Sequence, residues 1–244
     1  MGPSPFSESK DSGGECGVVT NTIFPESVQW RALAHGAVTV LMLNSELSVA
    51  AYSPQWNFTR DALAAVDRAV TPWVVVAFHR PLYFVSRSAS PSGPAGVRDA
   101  NFAPLEPLLV GAGVDAVLVG HVHNAMVTCP VSDSVCGKGP VHVCIGNAGQ
   151  GSEWGRGAAG VAPKPPRVRA RAPRLAALNH RPPLFPPPLS LAVTDIQTNN
   201  VPEWVLFQRA AYGYSTLEAN ATHMSISLFG DDINVKWYTA NFTK

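Results

Sequence analysis

Two unbroken apolar stretches dominate the hydrophobic pattern of the chain. Trp73-Val74-Val75-Val76-Ala77-Phe78 and Val117-Leu118-Val119 are rich in β-branched residues, show no alternation, and run directly into polar sequence: His79 after the first, Gly120-His121-Val122-His123 after the second. Such runs predict strands buried on both faces that deliver polar side chains to loops at their ends. Between them, Pro104 to Val110 reads as a short helix, with Pro104 suited to its first turn and Gly111 and Gly113 past its end. Gly36 to Leu43 reads as another buried strand. Ser53-Pro54 supplies a cap and first-turn proline for a helix through Ala69, with Trp56, Leu63 and Val66 on one face and Thr71-Pro72 ending it. Pro140 to Ile145, Tyr214 to Leu217, Thr222 to Phe229 and Val235 to Ala240 complete the predicted strands, the last two joined by a hairpin at Gly230-Asp231-Asp232.

The remaining segments read as connections. Residues 1 to 30 lack apolar periodicity and read as loop, in which Asp11 and Glu15 serve a solvated turn. Ser86 to Gly96 is a Ser/Pro/Gly-rich loop over the sheet edge. Gly146 to Gly151 lacks the helix and acidic residue of a dinucleotide site, and reads as a glycine turn. His142, in mid-strand, reads as a core-facing or paired histidine.

The strand, helix, strand order has a geometric consequence. Two strands joined through a helix are most simply parallel neighbours, so their C-terminal ends share one sheet edge. His79, His121 and His123 then converge, and imidazole is a common ligand of borderline transition metals. That makes these three histidines the candidate metal ligands.

Composition adds less. The 244 residues, 46% of them hydrophobic, suffice for one domain with appendages, and the net charge is only +1. The basic charge is local: residues 155–194 hold seven Lys or Arg and no acidic residue, interleaved with nine prolines. This stretch should not pack into the sheet. Three readings stand for it: a disordered surface insertion, a proline-rich or nucleic-acid-binding arm, or translated sequence foreign to the mature protein. Insertion or mis-splicing is favoured over binding, because no aromatic residues interleave with the arginines.

Four cysteines lack the Cys-x-x-Cys spacing of a zinc site, while Cys129 and Cys136 enclose a loop short enough for a local disulfide. Asn57, Asn220 and Asn241 each open a glycosylation triplet, and with the even cysteine count they lean toward an oxidising, secretory route. The start of the chain has no signal-peptide pattern, and no apolar run reaches membrane-spanning length.

Val76-Ala77-Phe78-His79 and Gly120-His121-Val122-His123 have the form of the last two metal motifs of the purple acid phosphatases, within the calcineurin-like metallophosphoesterases, and the chain resembles that family. Thr71-Pro72-Trp73, His79-Arg80-Pro81 with Tyr83, Ala65-Val66-Asp67-Arg68 and Asp11 to Val18 look like plant-type members. The resemblance covers roughly residues 11 to 150 and resumes near 202 to 244. The family's earlier motifs, Gly-Asp-x-Gly, Gly-Asp-x-x-Tyr and Gly-Asn-His-Asp/Glu, do not occur here, and Asn124-Ala125-Met126-Val127 stands where Tyr-Glu-Arg is usual.

The resemblance implies an α/β fold: part of a four-layer metallophosphoesterase sandwich of two mixed β-sheets flanked by helices, with C-terminal β hairpins. It divides the chain into the C-terminal half of a catalytic domain (1–150), a Pro/Arg-rich insertion (151–200) and a C-terminal β region (201–244). It implies an acid phosphatase acting on phosphate monoesters, in a secreted or vacuolar location. Its cofactors would be iron and a second divalent metal (Zn, Mn or Fe), with His79 and His121 on the divalent ion and His123 on the ferric one. The ligand set is incomplete in this chain, no residue is assigned as catalytic beyond the ligands, and the sequence reads as a truncated member. The alternatives are an inactive family fragment, or a binding module built on the arm at 155–194. No nucleic-acid or membrane partner is expected, and the oligomeric state is open.

Overall fold

The computed structural model describes residues 22–23, 29–86, 95–148, 201–231 and 235–244. The expectations for the loop at 1–30, for most of 86–96 and for the Pro/Arg-rich stretch, including Asp11, Glu15 and Cys16, fall largely or wholly outside them. Seven strands form a mixed sheet: β1 (Arg31–His35), β2 (Val38–Met42), β3 (Trp73–Ala77), β6 (Ala116–Val119), β8 (Val135–Ile145), β7 (Ala125–Ser132) and β9 (Val205–Arg209), in that spatial order. β2, β3, β6 and β8 run parallel, while β1, β7 and β9 run antiparallel to their neighbours. A second sheet of β10 (Gly213–Ala219), β11 (His223–Gly230) and β12 (Lys236–Thr243) is antiparallel throughout.

β3 is buried on both faces because alternate side chains enter different cores. Val74, Val76, Val117 and Val119 join one core with Leu63 of helix α1 (Pro54–Ala64) and Leu109 of helix α2 (Glu106–Gly111). Trp73, Val75 and Ala116 join another with Met224, Ile226 and Leu228 of β11. The unbroken apolar runs of β3 and β6 are what a strand between two layers requires.

Several boundaries differ from the sequence expectation, each for an identifiable reason. α1 stops at Ala64 rather than Ala69, because the Asp67 carboxylate accepts from Ala69 N–H and its carbonyl from Val70 and Thr71 N–H, which closes a turn instead of another helical one. Ser53 caps α1 as expected, accepting from Trp56 N–H. A 3-10 turn, Ala103–Leu105, precedes α2. Part of the loop expected at 86–96 is a hairpin, with β4 (Tyr83–Ser86) paired to β5 (Ala95–Arg98). β1, β7 and β9 were not anticipated. β8 begins five residues early because Asp133 and Ser134, both at positive φ, form a two-residue turn that folds it back on β7. Cys129 and Cys136 are disulfide-bonded across that hairpin, with Cα atoms 5.8 Å apart.

The hairpin is tied to the rest through a buried polar knot. Glu106 accepts from Tyr83 hydroxyl, Arg98 and Asp133 N–H, and Ser134 N–H donates to the Tyr83 oxygen. Burial raises the Glu106 pKa, but the bonds from Arg98 and Tyr83 outweigh it and leave a net lowering. Burial and the bond to Glu106 push the Tyr83 hydroxyl up to about 12.

His142 faces the core beside the Tyr83 ring, fully buried, and among the described residues neither ring nitrogen has a partner. Burial holds its pKa down to about 3, against an ordinary value of 6.5. Between those values the unfolded chain binds a proton that the folded chain refuses, so this residue erodes stability as pH falls below about 6.5. His142→Leu should be neutral to stabilising at pH 7.5 and should flatten the loss of stability between about pH 6.5 and 4. Denaturant titrations across that range check this; parallel pH profiles for the two proteins would contradict it.

Candidate metal centre

The site is built where β3 and β6 end. Their pairing, Val75 with Ala116, Val76 with Val117 and Ala77 with Leu118, continues past the strands: Phe78 N–H donates to Leu118 O at 3.1 Å and Gly120 N–H to His79 O at 2.9 Å. At the opposite edge Asp115 holds the same two strands in register. Its Oδ2 accepts from Val74 N–H and from Arg68, and its Oδ1 from Lys244.

Beyond Gly120 the chain turns twice within four residues. Val122 N–H donates to Gly120 O and Asn124 N–H to Val122 O, each at 2.7 Å, which places His121 and His123 at the centres of successive three-residue turns. His121 has φ of 62°, a conformation that side chains with a Cβ resist by about 1–3 kcal/mol. The strain is held from β8. The Cys144 thiol lies against the carbonyls of Gly120 and Val122, and a methyl group at Gly146 would collide with the Val122 carbonyl.

This geometry brings His79 and His121 together. Nδ1 of His121 lies 3.2 Å from Nε2 of His79, with the rings edge to face at 5.0 Å between centroids. Arg80 reaches His121 from the other side, its Nη1 3.1 Å from Nε2. Arg80 is itself fixed: its Nε donates to Glu46 at 2.6 Å and its backbone N–H to the Ser45 hydroxyl. Desolvation holds both imidazoles below the ordinary histidine range, opposed in part by Glu46 and assisted by Arg80. His123 adds a like-charge contribution at both rings.

Two imidazole nitrogens bound at about 2.0–2.1 Å to one tetrahedral ion stand roughly 3.3 Å apart. The observed 3.2 Å therefore fits two corners of one coordination sphere. Among the described residues no group of three or more His, Cys, Asp or Glu is placed to hold a metal, so the fit is of a pair, and His123 does not join it as a third donor. Asn124, buried next to His123, has no partner for either side-chain polar atom among the described residues.

The other sequence-derived sites lie apart from this edge. Asn57 sits within α1 and donates to Tyr52 O, with Thr59 of its triplet buried. Asn241 lies in the edge strand β12. Asn220 occupies the exposed turn between β10 and β11, where its Oδ1 accepts from Thr222 N–H and His223 N–H, with the Thr222 hydroxyl 3.3 Å away. Sequence reasoning missed Arg80 as a neighbour of the site. Its place directly after a strand-end histidine was the available signal.

Residues 27–125 match the calcineurin-like phosphoesterases, and residues 190–236 the iron/zinc purple acid phosphatase-like protein C region. The chain belongs to the purple acid phosphatase family. It is 30% identical over 243 residues to Probable inactive purple acid phosphatase 9 of Arabidopsis thaliana, covering 91% of this chain and 32% of that protein. Purple acid phosphatase 18 of the same plant is 38% identical over 113 residues, covering 46% of this chain and 25% of that one. The fold matches that of a purple acid phosphatase from yellow lupin (Lupinus luteus) seeds, with a TM-score of 0.69 at 21% identity, over 99% of this chain and 38% of that one. The chain thus spans between a quarter and a third of the length of these curated relatives, one of which is named probable inactive.

Gly146→Ala should cost about 1–3 kcal/mol, because the loop carrying both histidines must yield. It should weaken metal binding along with stability. A variant as stable as the parent in urea would show that Gly146 does not hold the turns.

Proposed function

We propose that this chain carries the histidine edge of a metal-dependent phosphomonoesterase, and that by itself it hydrolyses phosphate esters slowly or not at all. The observation that supports it best is the facing pair of nitrogens on His79 and His121, 3.2 Å apart at the ends of adjacent parallel strands. In this reading His79 and His121 hold one divalent ion and His123 contributes to a second, which would be iron alongside Zn, Mn or Fe. Bound metal supplies a water of lowered pKa and neutralises phosphate charge. The chain's own part is to keep its imidazoles neutral, which desolvation assists. A catalytic site needs about three protein donors plus water. The pair provides two, so this chain alone would hold a divalent ion weakly.

The reading includes passage through the secretory route, supported by the disulfide between Cys129 and Cys136 and by the exposed turn at Asn220. It keeps residues 1–150, 151–200 and 201–244 as three functional segments, the middle one an insertion. The second reading is a catalytically inactive family fragment, in keeping with the similarity to a relative named Probable inactive purple acid phosphatase 9.

Purified chain should bind substoichiometric zinc and turn over p-nitrophenyl phosphate at a rate near that of buffer, and His121→Ala should abolish the residual zinc. Peptide mass spectrometry of secreted material should find any glycan on Asn220. Two tightly held metals together with turnover lost in His121→Ala would show that other residues complete the site.

A further inference from the structure

Resting on the reading that His79 and His121 share a metal, we infer that Arg80 is a positioning residue that locks His121 against the metal. The number of protons and lone pairs on the ring limits what His121 can do. A guanidinium nitrogen is always a donor, so at 3.1 Å from His121 Nε2 it requires that nitrogen to accept. A neutral imidazole has one lone pair and one N–H. With its lone pair turned to Arg80, His121 carries its proton on Nδ1 and donates it to His79 Nε2 across 3.2 Å.

The two nitrogens that face each other are then joined by a proton. A metal needs a lone pair from both. For His121 to present one on Nδ1, the proton must move to Nε2, where it would point directly at an Arg80 N–H. Metal binding by the pair and the Arg80 hydrogen bond therefore exclude each other.

The lock is built rather than incidental. Arg80 is anchored through Nε and Nη2 to both oxygens of Glu46, at 2.6 and 3.3 Å, and through its backbone to Ser45, so Nη1 is aimed at His121 by the fork geometry of the guanidinium. The left-handed backbone at His121 sets the direction in which its side chain leaves the turn. Loading the pair requires the Arg80 contact with His121 to break, so Arg80 sets the affinity and occupancy of this position.

Nitrogen-15 spectra of histidine-labelled chain distinguish the tautomers directly. Metal-free protein should show His121 protonated at Nδ1, and zinc should convert it to the Nε2–H form. Arg80→Met should lose the Nδ1 preference without metal and bind zinc about tenfold to a hundredfold tighter, the worth of one hydrogen bond to a charged group. Arg80→Lys keeps the charge but not the fork. It should lose the tautomer preference too, which simple charge repulsion would not predict. The parent spectrum stands even if a variant fails to fold. An Nε2–H tautomer in the metal-free parent, or equal zinc affinity in parent and Arg80→Met, overturns the lock; absence of zinc from every protein overturns both the lock and the shared-metal reading.

Discussion

The parallel pairing of β3 with β6 is the constraint on which the site depends. Each strand sends alternate residues into different cores, so a slip of one residue would exchange Trp73 and Val75 with Val74 and Val76 between layers of different shape. Asp115 adds a second check by accepting from Val74 N–H across the pair. With the register fixed at that edge, the other edge has no freedom: His79 O meets Gly120 N–H, and the histidines on the two loops face each other. Burial of apolar surface far from the histidines thus determines a distance of 3.2 Å between two nitrogens.

Local cost is concentrated where the chemistry is. His121 adopts a backbone conformation that a residue with a side chain avoids, and the buried side chain of Asn124 beside His123 has no partner among the described residues. Such features persist only when their surroundings over-determine them, here the thiol of β8 and the glycine just after that strand. Glu46, Arg80 and His121 form a chain of charge-assisted contacts that gives the ring a definite proton position. The same contacts that order the site oppose a cation entering it.

Much of this was legible in the sequence, and the rest was not for physical reasons. Buried parallel strands need apolar residues at every position, so β3 and β6 stood out, and the histidines followed by topology. β1 is an exposed edge strand with polar and apolar residues mixed, β7 contains Pro130 at a shift in register, and the first half of β8 is an exposed hairpin arm. None of these carries a periodic pattern. The early end of α1 depends on one aspartate competing for backbone N–H groups. Arg80 was legible as a neighbour of the site from its place after His79, but the direction of its side chain toward His121 depends on the anchor at Glu46, which no local pattern marks.

The chain belongs to the purple acid phosphatase family, and its relatives include one named probable inactive, so the deciding question is what the histidine pair holds. X-ray absorption at the zinc edge of the loaded chain addresses it most directly. The account predicts scattering from two imidazoles, with nitrogen at about 2.0–2.1 Å and oxygen filling the remaining positions, falling to one imidazole in His79→Ala. A spectrum without imidazole scattering, or one unchanged in His79→Ala, would contradict it.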